Sequence, residues 1–91
     1  MRCILQGGTP RRLPHLATVP VAVVTAEASF RASSDHCTTE FLAQAGVPAE
    51  HILLAGQGVH GNGHMMMLES NSDAVAAVIE DWLDRALAPR P

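Results

Sequence analysis

A chain of 91 residues makes at most one small domain, which buries only about 60–65% of its unfolded surface. A net charge of −3, with no basic run and no interleaved aromatics, argues against a nucleic-acid binder. No apolar run approaches the ~20 residues that cross a bilayer, so no membrane span is expected, and the start M-R-C-I-L-Q-G-G-T-P-R-R has no hydrophobic signal-peptide segment.

The content is 47% hydrophobic and 16% charged, with only Phe30, Phe41 and Trp82 as aromatics. Aliphatic-rich, aromatic-poor chains suit the packed layers of α/β proteins. Two cysteines, Cys3 and Cys37, do not make a disulfide framework. Cys37 is expected as a small apolar thiol on the buried face of a helix. No CxxC or other zinc spacing occurs, and the composition leaves the compartment undetermined.

In chain order, residues 1–8 carry no usable pattern, and Thr9 to Thr18 reads as a lead-in loop with two prolines and two arginines. His15 within it is expected at the surface. Val19 to Thr25 (V-P-V-A-V-V-T) is a β-branched run, the signature of a strand buried on both faces of a parallel sheet. Pro20 sits near its start, where a strand tolerates it. The chain then turns polar through Glu27 and Ser29. Ligand and catalytic groups collect beyond the carboxyl ends of strands in open α/β sheets, although a polar strand-to-helix loop needs such residues in any case.

Ser33, Ser34 and Asp35 offer an N-cap for a helix from Asp35 to Ala45. Its inward face is expected to hold Cys37, Phe41, Leu42 and Ala45, with Asp35 and His36 solvated. Gly46 followed by Val47-Pro48 is the stop. His51 to Ala55 reads as a second short strand, completing a βαβ unit with parallel strands. A last helix runs from Asp73 to Leu87, capped by Asn71 or Ser72. Its stripe is Val75, Val78, Ile79, Trp82, Leu83 and Ala86. The tail A-P-R-P ends it.

Two parallel strands and two helices do not close a fold. A strand as apolar as V-P-V-A-V-V expects a neighbour on each edge and cover on each face, and a two-stranded sheet is marginal. The expected class is therefore α/β, the end of a larger doubly wound sheet. An exposed strand edge is expected to pair with an upstream segment or with another chain.

Between the second strand and the last helix lies G-Q-G-V-H-G-N-G-H-M-M-M-L-E, Gly56 to Glu69. It holds four glycines, two histidines and an asparagine. Such a loop suits the aiming of a side chain, and a histidine is the usual acid/base near neutral pH. His60 and His64 are four apart, a metal spacing on a helix, but Gly61 and Gly63 disfavour a helix and no third ligand is evident. His60, Gly61, Asn62 and Gly63 are read as shaping the loop, with His60 and Asn62 bonded to backbone. Met65 to Met67 read as packing, and Glu69 as support for the loop or the next helix.

The segment resembles that of an esterase-like branch of the α/β hydrolases, known in bacteria and fungi, with a G-[VI]-H-G-N-[SG]-H-M-M-M string. The likeness extends upstream through P-V-A-V-V-T-A-E-A-S-F and D-H-C-T-T-E-F-L-A-Q-A-G-V. It covers residues 13–87, leaving 1–12 as a poorly defined lead-in and 88–91 as a tail. It implies a Ser, Asp/Glu, His triad in chain order, with His64 as the base that takes the proton of the serine hydroxyl. It implies no metal and no cofactor, and a small-molecule ester as substrate.

No G-x-S-x-G occurs in the chain, so the resemblance places the nucleophile upstream. In most α/β hydrolases the acid follows the strand before the histidine strand, near Glu27. In the branch resembled it is a glutamate on an earlier strand. Glu27 is thus the acid candidate within the chain, against a structural or pocket-rim role. The expected function is the C-terminal segment of a serine-dependent carboxylic-ester hydrolase, inactive as these 91 residues alone. The alternative is a truncated hydrolase remnant serving as an interaction or oligomerisation module. A small metal-binding domain using Cys37, His60 and His64 is a third reading.

Overall fold

The computed structural model describes residues 2–88. Strand β1 (Ala22–Thr25) is followed by helix α1 (Asp35–Gln44), strand β2 (Glu50–Leu53) and helix α2 (Ser72–Ala86), with short 3-10 turns at Leu16–Thr18, Leu54–Gln57 and Met66–Leu68. The two strands run parallel, Ala22 opposite Glu50 through Thr25 opposite Leu53. The result is a small α/β unit of two parallel strands and two helices, in the expected order.

The strands are shorter than their apolar runs. Val19 is half exposed, and pairing begins only after Pro20 and Val21, where Glu50 N–H donates to the Val21 carbonyl. At the other end Leu54 and Ala55 leave the ladder for a 3-10 turn, which lets Leu54 sink to full burial while Leu53 stays 51% exposed. Gly46 stops α1 as expected, with φ +80°, a backbone state that favours glycine. Neither expected cap closes its helix. Ser34 and Asn71 occupy the N-cap positions without a side-chain capping bond.

The core is small. Ala26, Leu54, Val59 and Val75 form its centre, with Val24, Met66 and Val78 packed against it. On α2 the stripe is only partly covered: Val75 is buried, whereas Ile79 and Leu83 are 36% and 41% exposed. On α1 the expected inward face is only partly covered: Ala45 is buried and Cys37 and Leu42 are half-buried, but Phe41 is not. Phe41 is 39% exposed, and the buried residue of the helix is Asp35.

The extents are 44 × 40 × 19 Å and the radius of gyration is 14.6 Å, against about 12 Å for a compact chain of this length. The unit is a slab with too little third dimension to cover its own apolar side chains.

The cysteine expectation is overturned. Cys3 and Cys37 form a disulfide, and Cys37 is not a free thiol. The bond ties the lead-in to α1, and a second clasp lies beside it. Gln6 N–H donates to Gln44 Oε1, and Gln44 Nε2–H donates to the Gln6 carbonyl, both at 3.0 Å. Of the tail, Pro89 to Pro91 lie outside the described residues.

Candidate active site

Because β1 and β2 are parallel neighbours, the loops that leave their carboxyl ends emerge side by side. They are joined directly: Ala28 N–H donates to the Asn62 carbonyl at 2.8 Å. The first loop presents Glu27, Ser29 and Phe30, and the second presents His60 to His64.

His64 is exposed. Its Nδ1 lies 3.1 Å from Ser29 Oγ, and the Phe30 ring stands against it with centroids 4.8 Å apart and planes tilted by 54°. Ser29 is buried at 7% exposure, and its Oγ also accepts the Arg31 N–H at 3.0 Å. The sequence marks Ser29 only as one polar residue of a strand-to-helix loop. Its pairing with a ring 35 positions away has no local signal.

Glu27 meets the other histidine. Its carboxylate accepts His60 Nδ1–H at 3.2 Å and Gly61 N–H at 3.0 Å. Gly61 has φ +81°, which turns its amide to the carboxylate in a backbone state costly for other residues. His60 therefore shapes the loop through a side-chain carboxylate, not through backbone.

The His60 hydrogen bond, and next the Gly61 amide, hold the Glu27 carboxyl below its ordinary range. A depressed carboxylate pKa contributes stability above the unfolded value, about 4.3 for glutamate, and loses it as pH falls through the folded value. The Glu27 fastening is thus expected to persist at neutral and mildly acid pH and to release only at lower pH. Following the Gly61 amide by NMR should show its shift moving in that acid window. A midpoint at or above the ordinary glutamate value would contradict the arrangement.

Asn62 is 2% exposed. It too bonds side chains where backbone was expected. Its Nδ2 donates to Glu69 Oε1 at 3.1 Å and to Asn71 Oδ1 at 2.6 Å, and its Oδ1 accepts Asn71 Nδ2–H at 2.9 Å. Glu69 Oε1 also accepts Gly63 N–H at 2.8 Å. This explains the missing cap at Asn71, whose side chain is spent on Asn62. Replacing Asn62 by Ala strips these bonds and leaves the half-buried Asn71 amide without its partner, a cost toward the lower end of about 1–3 kcal/mol. Urea unfolding of Asn62→Ala should show a lowered midpoint at unchanged slope.

A third cluster secures the end of β1. Thr25 Oγ1–H donates to Asp35 Oδ2 at 2.8 Å, and His51 Nε2 lies 2.8 Å from the same hydroxyl. Since that hydroxyl has one proton, His51 Nε2–H is the donor in the second bond. Arg31 Nε stands 3.5 Å from Asp35 Oδ1. Asp35, expected in solvent, is 9% exposed because the start of α1 lies over the strand end, where Thr25 and Arg31 satisfy its carboxylate. The cluster links both strands to α1 just before the Glu27–Ser29 loop.

The histidines are thus divided between different partners. Among the described residues, the grouping of side chains able to hold a metal is Cys3, His36 and Cys37, and its two sulfurs are bonded to each other. Cys37 does not join His60 and His64 in a common set.

The chain is 46% identical over 83 residues to a probable secreted lipase, phiG, of Fungal sp. (strain ATCC 74256). The match spans 91% of this chain but only 23% of that protein. No family model and no solved structure matches the chain. The similarity supports a relationship to lipase-type hydrolases.

Proposed function

We propose that this chain is the C-terminal portion of a serine-dependent carboxylic-ester hydrolase with the α/β-hydrolase fold, and that His64 is its general base. The observation that carries the reading is the 46% identity to a probable secreted lipase across 83 residues. The position of His64, on the loop beyond the second of two parallel strands and before a closing helix, supports it. In the larger sheet, residues 13–87 supply the last strands, and a free strand edge pairs with the preceding part.

The chemistry asked of His64 is proton transfer. It takes the proton of a serine hydroxyl as that oxygen attacks the ester carbonyl, and returns it to the leaving alcohol. The nucleophile, the acid and the oxyanion donors come from the remainder of the protein. Glu27 is not given the acid's role, because its carboxylate is engaged by His60 and Gly61. His60, Gly61, Asn62 and Gly63 hold the loop that presents His64. This chemistry uses no cofactor or metal, and the substrate is a small-molecule ester.

A second reading is favoured by the slab shape and the two-stranded sheet. In it, the chain is a non-catalytic remnant that uses a strand edge to bind a partner. Mapping the transcript upstream of Met1 separates the two. An in-frame segment encoding G-x-S-x-G after a strand supports the hydrolase, and a closed frame with translation starting at Met1 leaves the interaction module.

A further inference from the structure

We propose that Ser29 is the positioning residue of His64, and that its hydroxyl decides which ring nitrogen carries the proton. The proposal rests, for its meaning in catalysis, on His64 being the base. Its structural half stands independently.

The Ser29 oxygen is fixed before the imidazole reaches it. It is 7% exposed and already accepts the Arg31 N–H. The Ser29 N–H donates to the Ala26 carbonyl, and the neighbouring Ala28 N–H holds the histidine loop through Asn62. His64 Nδ1 lies 3.1 Å from this oxygen, with Phe30 against the ring. The imidazole is therefore seated by a short polar contact on one nitrogen and an aromatic contact on its surface.

The proton count then follows. A hydroxyl has one proton to donate and two lone pairs. Arg31 N–H is a donor and uses one lone pair, so the Ser29 proton goes to an acceptor, and His64 Nδ1 is the acceptor in reach. A neutral ring that accepts at Nδ1 carries its own proton on Nε2. Ser29 thus holds His64 as the Nε2–H tautomer.

A base acting through Nε2 needs the opposite tautomer. In a triad the carboxylate accepts the Nδ1–H of the base. A carboxylate arriving at Nδ1 therefore takes the place of the Ser29 hydroxyl proton, which turns to solvent, while the ring proton moves from Nε2 to Nδ1 through solvent and leaves Nε2 with its lone pair. Glu27 is not that carboxylate, since both of its oxygens are committed on the neighbouring loop.

The test is ¹⁵N NMR of histidine-labelled 91-residue protein, reading the two ring-nitrogen shifts of His64 at a pH where the ring is neutral. The expected result is a dominant Nε2–H pattern in the native chain. Ser29→Ala should move both shifts toward an averaged mixture, and Ser29→Thr, which keeps the hydroxyl, should restore the native pattern. A native Nδ1–H pattern, or a pattern unchanged in Ser29→Ala, overturns the proposal. Should Ser29→Ala lose its dispersed amide spectrum, the native and Ser29→Thr patterns decide alone. Loss of the general-base reading is seen separately, as ester cleavage surviving His64→Ala in the longer polypeptide.

Discussion

On the proposed general-base reading, His64→Ala is expected to lower the kcat of ester cleavage by about 10²–10⁴-fold, the usual contribution of a positioned general base, with KM little changed. A base is needed only as the serine proton leaves, so its removal touches the transition state far more than the bound ester. The assay is hydrolysis of a short-chain chromogenic ester under saturating substrate. His60→Ala provides the contrast. His60 bonds Glu27 on the loop rim, whereas Ser29 bonds His64, so the loss of His60 should cost much less. A His64→Ala enzyme retaining near-native kcat, or a larger loss from His60→Ala, would remove His64 from the base role.

Breaking the Cys3–Cys37 bond is expected to have the largest effect on stability. The bond closes a loop of sequence separation 34, for which the chain-entropy relation gives about 3–4 kcal/mol. In a domain of this size that is a loss of roughly 15–25 °C in Tm, enough to consume much of a small protein's margin. Cys3→Ser, Cys37→Ser and the double variant should melt alike, and the native chain treated with a thiol reductant should join them. A native melt indifferent to the reductant would show that the clasp does not hold the fold. The Gln6–Gln44 bonds beside it are too few to replace it.

The order of elements was legible from the sequence because it rests on local periodicity and punctuation. The β-branched run before Thr25, the Gly46-Val47-Pro48 stop and the stripe of α2 each act within a few residues. The strand ends were less so, since pairing rather than hydropathy sets them. Val19 is apolar but has no ladder partner, while Glu50 is charged and has one.

The features that failed depend on distant contacts. Cys3 and Cys37 are ordinary singletons in the sequence, and nothing local brings the lead-in across α1. Asp35 carries the signature of a solvated first turn. Only its approach to Thr25 and Arg31 makes its burial tolerable. Of the loop, the glycines and both histidines could be singled out from composition. Their assignment to Glu27 and Ser29 depends on two loops meeting from adjacent parallel strands.

The histidine loop is fastened mainly by side chains. Glu27 of the neighbouring loop, Glu69 at its own far end and Asn71 before α2 hold it, while β1 and β2 are joined by their backbone ladder. These are two separate sets of bonds with separate free energies of opening. A charged group that competes for Glu27 or Glu69 can loosen the presentation of His64 while the sheet beneath stays paired. The order of the His64 side chain is therefore adjustable from the surface, at less cost than unfolding the sheet beneath it.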